Sequence, residues 1–279
     1  MAFDVHAWWM LLSGVAVLNI VAWFVSVRWL VKRYENFFSA PQHLHRRWMM
    51  WLSSAYVAGC AFRSFLPRID LERVCLVQTP LSNMMLGRSV ATVAELCFMA
   101  QCALLLHHAG KGTEIRTVQF IAWMIMPLIV IAECSSWYAI LSTNYLGHFV
   151  ENSIWTFSAL LLLVSFPMLW PHGSRPQKHF LVWMIVFAVG YILFMVNVDL
   201  PMYWTRWIAE QAAGVGYLSL WKGVMDAYQA CAVNFSWDVW HQEMPWMTLY
   251  FTLAVWLSIY LPHVPGWMSA SKMAKAAGG

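Results

Sequence analysis

The sequence predicts an all-α polytopic membrane protein, a bundle of about seven transmembrane helices with an amphipathic helix at the outer interface. Hydrophobic residues make up 61% of the 279 residues and charged residues only 11%, whereas soluble domains average about 45–50% and about 25%. The apolar residues also form continuous runs of roughly 20, as membrane helices require, rather than the alternation of a barrel. These observations exclude a soluble domain, a disordered chain and a nucleic-acid-binding protein.

Seven stretches are apolar and long enough to be spans, although the last is short. They are Ala7–Leu30, Trp48–Leu66, Ser89–His107, Val118–Leu141, Phe149–Trp170, Phe180–Val198 and Pro245–Leu261. The first is too long for the apolar core of a signal peptide, and its N-terminal flank contains Asp4 but no Lys or Arg. We therefore expect it to remain as a transmembrane helix, and residues 1–279 to form a single integral membrane domain.

The distribution of Lys and Arg predicts the orientation in the membrane. With seven spans, 11 of the 17 basic residues fall on one side, among them Lys272 and Lys275, and 6 fall on the other. The richer side is expected to be cytoplasmic. This predicts an extracytoplasmic N-terminus and a cytoplasmic C-terminus.

The longest connection, 199–244, falls on the outer side. Apolar residues recur in it at steps of three and four from Trp204 to Tyr228, which indicates an amphipathic helix at the outer interface. Such a helix either covers a cavity like a lid or rests on the lipid headgroups. Cys75 and Cys231 also fall in outer connections, where a disulfide is allowed if that space is oxidising.

Four carboxylates lie within or at the ends of apolar segments, where ionisable side chains are costly and indicate function. The predicted topology places them in the outer half of the membrane together with two arginines. The six residues are Glu95, Glu133, Glu151, Asp199, Arg63 and Arg88. A one-sided distribution predicts a polar pocket that opens outwards, whereas a transporter is expected to have polar residues towards the inner side as well.

The pocket is expected to centre on the fourth and fifth spans, which about six residues connect and which must therefore be antiparallel neighbours. His148 and Glu151 share one helix face. Glu133 approaches them from the fourth span, at a depth offset of about two turns. We assign acid–base roles to these three residues, with Glu133 as the one expected to be protonated. Substrate-binding roles are predicted for Glu95, Arg63, Asn152, Trp137, Trp155 and Asp199.

Two other interpretations of this pocket stay open. If a metal is bound, His148, Glu151 and Glu133 are the expected ligands, although carboxylate-bridged di-iron sites use two Glu-x-x-His units and this chain has one such unit in reverse order. Alternatively, the carboxylates pair with Arg63 and Arg88 and serve folding only. The sequence does not identify a cofactor.

The leading functional hypothesis is a membrane-embedded enzyme that acts on a lipophilic, lipid-like or isoprenoid-like substrate by acid–base chemistry. The alternatives are a non-catalytic subunit or assembly partner of a larger membrane complex, and a small cation-coupled transporter. Expected partners are membrane lipids, a lipophilic small molecule and further subunits. Acidic residues, His and Trp in a membrane pocket resemble sterol isomerases of the emopamil-binding type, a resemblance that assigns no role to any residue here.

Overall fold

The structure, a computed structural model, describes residues 4–267, and helices dominate this range. They are α1 Val5–Arg33, α2 Leu44–Phe65, α3 Met84–Thr113, α4 Arg116–Ser142, α5 Tyr145–Leu169, α6 Arg175–Phe194, α7 Leu200–Ala213, α8 Leu220–Ala227, α9 Trp237–Trp240, α10 Met244–Leu249 and α11 Val255–Tyr260. Three short strands, β1 Arg68–Ile69, β2 Val74–Cys75 and β3 Ala232–Val233, form one sheet. In it β2 pairs antiparallel with β1 and parallel with β3.

Within the described residues, six helical stretches are long and apolar enough to cross a membrane, as expected of a multi-pass integral membrane protein. They are Val5–Arg33, Met84–Thr113, Arg116–Ser142, Tyr145–His172, Arg175–Ala213 and Met244–His263. The remaining predicted span, Trp48–Leu66, falls on α2, whose 22 residues reach across about 30 Å. α2 is less apolar because Ser53, Ser54, Tyr56 and Arg63 interrupt it. The count of seven therefore stays a prediction.

The sixth span is longer than predicted. α6, a π-helical turn at Met195–Asp199 and α7 follow one another without a break from Arg175 to Ala213. Pro201 lies just after the π-helical turn, where the regular i→i−4 hydrogen-bond pattern is already interrupted, so it does not end the helix. Gly214, with a φ of 64°, ends the helix. The amphipathic period in 199–244 thus does not form one continuous interfacial helix, since its first half belongs to α7 and its last part to α8.

The described residues form two compact units. The first contains residues 4–101, 140–143 and 217–263, and the second contains residues 102–139, 144–216 and 264–267. Lys272 and Lys275, which the orientation prediction counts on the inner side, lie outside the described residues.

The core of the first unit lies where α1, α2, α10 and α11 pack together. A second π-helical turn, Tyr250–Ala254, interrupts the regular helical hydrogen-bond pattern of the last span. Polar side chains in the core bond to backbone groups of this turn. The Asn19 Nδ2 donates to the Phe251 carbonyl at 2.9 Å, and the Asn19 Oδ1 accepts from the Trp256 Nε1 at 2.8 Å. These contacts attach α1 to the last span.

Within the first unit, a disulfide joins the two connections that the sequence predicts on the outer side. Cys75 on β2 and Cys231, next to β3, are bonded across 156 residues of sequence, with Cα atoms 5.8 Å apart. Beside them, the Arg73 Nε donates to the Asp226 Oδ2 at 2.7 Å. The pairing that the predicted topology allows is therefore formed.

In the second unit, α5 packs against α6 and α7. The side chain of Gln177, in the first turn of α6, donates to the carbonyls of Pro265 and Gly266. The ring of Trp267 lies 6.4 Å from that of Phe180. The N-terminal end of α5 packs against α4 and α7, and the candidate site lies there.

Candidate functional site in the second unit

The connection between α4 and α5 is two residues long. Thr143 has a left-handed backbone, with a φ of 57°, and the Asn144 side chain caps α5 by accepting from the Leu146 N–H at 2.9 Å. A connection of about six residues was expected from the hydropathy. Both helices extend beyond their apolar runs, because the turn at Thr143 and the Asn144 cap need only these two residues between the helices.

Gly147 sets the depth at which α4 and α5 meet. A Cβ at Gly147 would lie 2.6 Å from the Cβ of Ala139 and 2.7 Å from the carbonyl oxygen of Ser135. Because the helices are antiparallel about this contact, Glu151, one turn after Gly147, lies level with Glu133. The predicted offset of about two turns is not found, since it assumed the longer connection.

The carboxyl groups of Glu133 and Glu151 come together inside the second unit. One oxygen from each lies within 4.8 Å of the other, and the residues are only 3% and 6% exposed. His148 holds its Nδ1 2.6 Å from the Glu151 Oε2, and the Nδ1–H donates this hydrogen bond when Glu151 is ionised. The three residues to which the sequence analysis assigns acid–base roles are thus neighbours.

A second polar contact joins α5 to the continuous α6–α7 helix. The Asn152 Nδ2 donates to the Asp199 Oδ2 at 2.6 Å, and Asp199 is buried as the last residue of the π-helical turn. Asn152 follows Glu151 in the chain. This hydrogen bond therefore connects α5 to the α6–α7 helix at the level of the two carboxyl groups. π-helical turns are frequent at functional sites.

Two aromatic side chains, Tyr203 of α7 and Tyr145 of α5, lie beside this site. The Tyr203 ring lies 5.2 Å from the His148 imidazole and 6.2 Å from the Tyr145 ring. The Arg206 guanidinium lies 5.4 Å from the Tyr145 ring and 5.8 Å from the Tyr203 ring, which are cation–π distances. Tyr203 therefore contacts both the His148 imidazole and the Arg206 guanidinium.

Tyr203 and Arg206 were missed by the sequence analysis because it ended the sixth span at Val198. Their three-residue spacing, which places both on one face of α7, is the signal that could have found them. Trp137 and Trp155, which were predicted to bind substrate, are half-buried. Each lies four residues after one of the two carboxyl groups and so shares its helix face.

Glu95 and Arg63 belong to the first unit. The Arg88 Nη2 donates to the Glu95 Oε2 at 3.3 Å, as their seven-residue spacing on one helix face predicts. The Arg63 Nη1 donates to the Oδ2 of Asp70 at 3.2 Å, a partner that the sequence analysis did not consider. Arg63 therefore has a structural contact of its own in this unit.

Asp70 follows β1 and is 8% exposed at its side chain. Burial by itself raises the pKa of Asp70, but the guanidinium groups of Arg63, Arg68 and Arg88 outweigh it, and the pKa lies below its ordinary value. Burial also lowers the pKa of Arg68, to about 10. Both groups are therefore charged at neutral pH.

Glu133 and Glu151 are the residues of the second unit best placed to share a cation, because oxygens within 4.8 Å of each other can ligate one ion. His148 directs its Nδ1 at Glu151, so it would first have to leave this hydrogen bond to become a ligand through that nitrogen. The donor set is thus oxygen-rich, which suits a hard divalent cation better than a soft metal.

Comparison of the chain with protein-family models, with curated proteins and with solved structures finds no match. The residues of the site themselves must therefore indicate what the protein does.

Proposed function

We propose that the protein is a membrane-embedded enzyme that acts on a lipophilic substrate by acid–base chemistry at Glu133, His148 and Glu151. One observation carries the proposal: a buried carboxyl group, hydrogen-bonded to an imidazole at 2.6 Å, has a second buried carboxyl oxygen within 4.8 Å. All three side chains project from spans α4 and α5. Ionisable groups are costly in a membrane span, and their presence there indicates a functional site.

The pair supplies an acid and a base at the same level. Two buried carboxylates at this distance are not both ionised at low cost, because like charges and desolvation each oppose it. The His148 Nδ1–H stabilises negative charge on Glu151, which leaves Glu133 as the proton donor. Glu133 gives its proton to the substrate, and the Glu151–His148 pair accepts one from it.

The surroundings favour a lipid-like or isoprenoid-like substrate. Tyr145, Tyr203, Trp137 and Trp155 offer aromatic surface near the carboxyl groups, and flat apolar ligands pack well against such side chains. The hydrogen-bonded pair of Asn152 and Asp199 is proposed to orient a polar group of the substrate. On the predicted topology, Glu95 and Arg63 are also retained as proposed substrate-binding residues.

The site is proposed to open to the extracytoplasmic half of the bilayer. The Cys75–Cys231 disulfide supports this orientation independently of the Lys/Arg distribution, because disulfides persist in oxidising compartments. Membrane lipids are the proposed partners and the source of substrate. The segment 199–244 is proposed to cover the site through α7, which carries Tyr203.

The test replaces Glu133 by Gln, which keeps the shape but removes the titrating proton. Membranes containing the wild type or E133Q are incubated in heavy water, and their lipids are compared by mass spectrometry, since acid–base catalysis at carbon introduces solvent deuterium. E35Q, at an exposed carboxylate, is the matched control, and thermal unfolding confirms that each variant is folded.

Deuterium-labelled or converted lipid should form with the wild type and E35Q and be lost with E133Q and E151Q. Lipids that are identical for the wild type and for membranes lacking the protein would overturn the proposal. That result would favour a non-catalytic subunit, or a transporter if ion-dependent uptake is found.

A further inference from the structure

Arg68, on β1 in the first unit, is a fully buried cation, with 0% of the residue exposed. Its Nη1 donates to the Asn83 carbonyl at 2.6 Å. Among the described residues, its Nε and Nη2 have no hydrogen-bond partner. These two nitrogens form one edge of the guanidinium, the edge that binds a carboxylate or phosphate with two parallel hydrogen bonds.

The neighbouring arginines each have a carboxylate of their own. Arg63 pairs with Asp70 at 3.2 Å and Arg88 with Glu95 at 3.3 Å. Arg68 has no ion pair with any described residue, and Asp70, whose charge its guanidinium also stabilises, is already bonded to Arg63, so three buried guanidinium groups share two paired carboxylates in this part of the first unit. A buried charge that is not compensated is strongly unfavourable, which indicates that an anion belongs there.

The guanidinium of Arg68 is held in place before any ligand arrives. Gly87 on α3 packs so closely against it that a Cβ at position 87 would overlap the guanidinium. The Phe62 ring centre lies 5.3 Å from its Cζ. With Nη1 bound to the Asn83 carbonyl, the Nε–Nη2 edge is the part left for a ligand, and a fixed donor pair loses little entropy on binding.

An acceptor lies in the same group of side chains. The Asp70 Oδ1 is buried and, within the described part of the chain, has no hydrogen-bond partner. Arg63 links the two residues, since its Nη1 donates to the Asp70 Oδ2 and its Nη2 to the Arg68 carbonyl. Asp70 is ionised at neutral pH because nearby arginines lower its pKa, so its free oxygen accepts a proton donor.

We infer that Arg68 and Asp70 bind a protonated phosphate group, either inorganic phosphate or the phosphate monoester of a lipid headgroup. The Arg68 edge donates two hydrogen bonds to phosphate oxygens, and the Asp70 Oδ1 accepts one from the P–OH. A ligand that is both an anion and a hydrogen-bond donor satisfies the Arg68 Nε, the Arg68 Nη2 and the Asp70 Oδ1. Sulfate, which has the same shape but no proton at neutral pH, would place an oxygen against the Asp70 carboxylate and is excluded.

The test uses the full-length protein, purified in detergent without phosphate. Sodium phosphate and sodium sulfate are compared at matched ionic strength by thermal unfolding, and binding of radiolabelled phosphate is measured at equilibrium. Phosphate should raise Tm saturably and bind, and sulfate should do neither. R68Q, which loses two charge-assisted hydrogen bonds, should weaken phosphate binding by about 100-fold or more, while R28Q, at an exposed arginine, should not change it.

R68K keeps the test decisive if R68Q does not fold, and D70N tests the acceptor. R68K retains the charge but not the bidentate edge and should weaken phosphate binding. D70N replaces the acceptor by a side chain that can also donate, so D70N should bind sulfate about as well as phosphate.

The source of the phosphate is distinguished in nanodiscs at about pH 6, where a monoester keeps its second proton in roughly half of the molecules. Stabilisation of the wild type by phosphatidic acid over phosphatidylcholine, without an effect of inorganic phosphate in detergent, identifies a lipid headgroup. If neither source stabilises the wild type, or if sulfate and phosphate act equally, the proposal is overturned and ordered water satisfies the edge.

Discussion

Gly147 on α5 lies against Ala139 on α4 so closely that a Cβ on the glycine would be 2.6 Å from the alanine Cβ. This contact, one turn from Glu151, places Glu151 level with Glu133 across the two helices. The approach of the two carboxyl oxygens to within 4.8 Å therefore depends on a residue that has no side chain and no chemistry of its own.

Replacing Gly147 by Val should force α4 and α5 apart. Overpacking typically costs about 1–3 kcal/mol, and the carboxyl groups should separate with the helices. We expect a lower Tm together with loss of the lipid conversion that the wild type supports. G190A is the control, because a Cβ at Gly190 meets nothing within 4 Å; equal Tm values for G147V and G190A would contradict the close approach.

Removing the Cys75–Cys231 disulfide should destabilise the protein. The bond closes a loop over 156 residues of sequence, and losing a native disulfide typically costs about 2–5 kcal/mol. We expect C75S and C231S to lower Tm and C134S, at an exposed free cysteine, to leave it unchanged. Alkylation and mass analysis of denatured, unreduced protein should modify the four cysteines Cys60, Cys97, Cys102 and Cys134; modification of all six would show that the bond is absent.

Acid should weaken the protein through Asp70. Its pKa is below the ordinary value in the folded state, so its contribution to stability is complete above the unfolded pKa of about 3.9. That contribution is lost as the pH falls through the folded pKa. D70N, which leaves Arg63 buried without its carboxylate, should cost about 3–5 kcal/mol at neutral pH and remove this part of the acid dependence.

Unfolding of D70N and of D238N, at an exposed carboxylate, should be followed between neutral and acidic pH. A D70N protein as stable at neutral pH as D238N would show that the Arg63–Asp70 pair contributes nothing.

The positions of the two termini test whether α2 crosses the membrane. Seven spans place the termini on opposite sides, whereas six place them on the same side. We expect an extracytoplasmic N-terminal tag and a cytoplasmic C-terminal tag in a protease-accessibility assay on intact cells. Tags on one side would exclude α2 as a span.

Cys75 gives an independent check on α2, because it lies in the connection that follows this helix. If α1 spans from an outer N-terminus and α2 does not cross, the disulfide would lie on the cytoplasmic side, where disulfides are rare.

The amino-acid sequence by itself determines that the chain is a multi-pass membrane protein and where most spans lie, because lipid leaves the backbone no partner outside a helix. Six of the stretches that hydropathy identifies are long apolar helices in the structure. Helical periodicity also determined that His148 and Glu151, and Arg88 and Glu95, share a face, and both pairs are in contact.

Only the tertiary structure decided the depth at which neighbouring helices meet and which partner each buried charge takes. Periodicity reports the face of one helix and says nothing of its register against another. That register depends on the two-residue turn after α4 and on close packing at Gly147. Likewise, Arg63 binds Asp70, and Asp199 binds Asn152, because chain segments distant in sequence or outside the predicted spans fold back to satisfy buried polar groups.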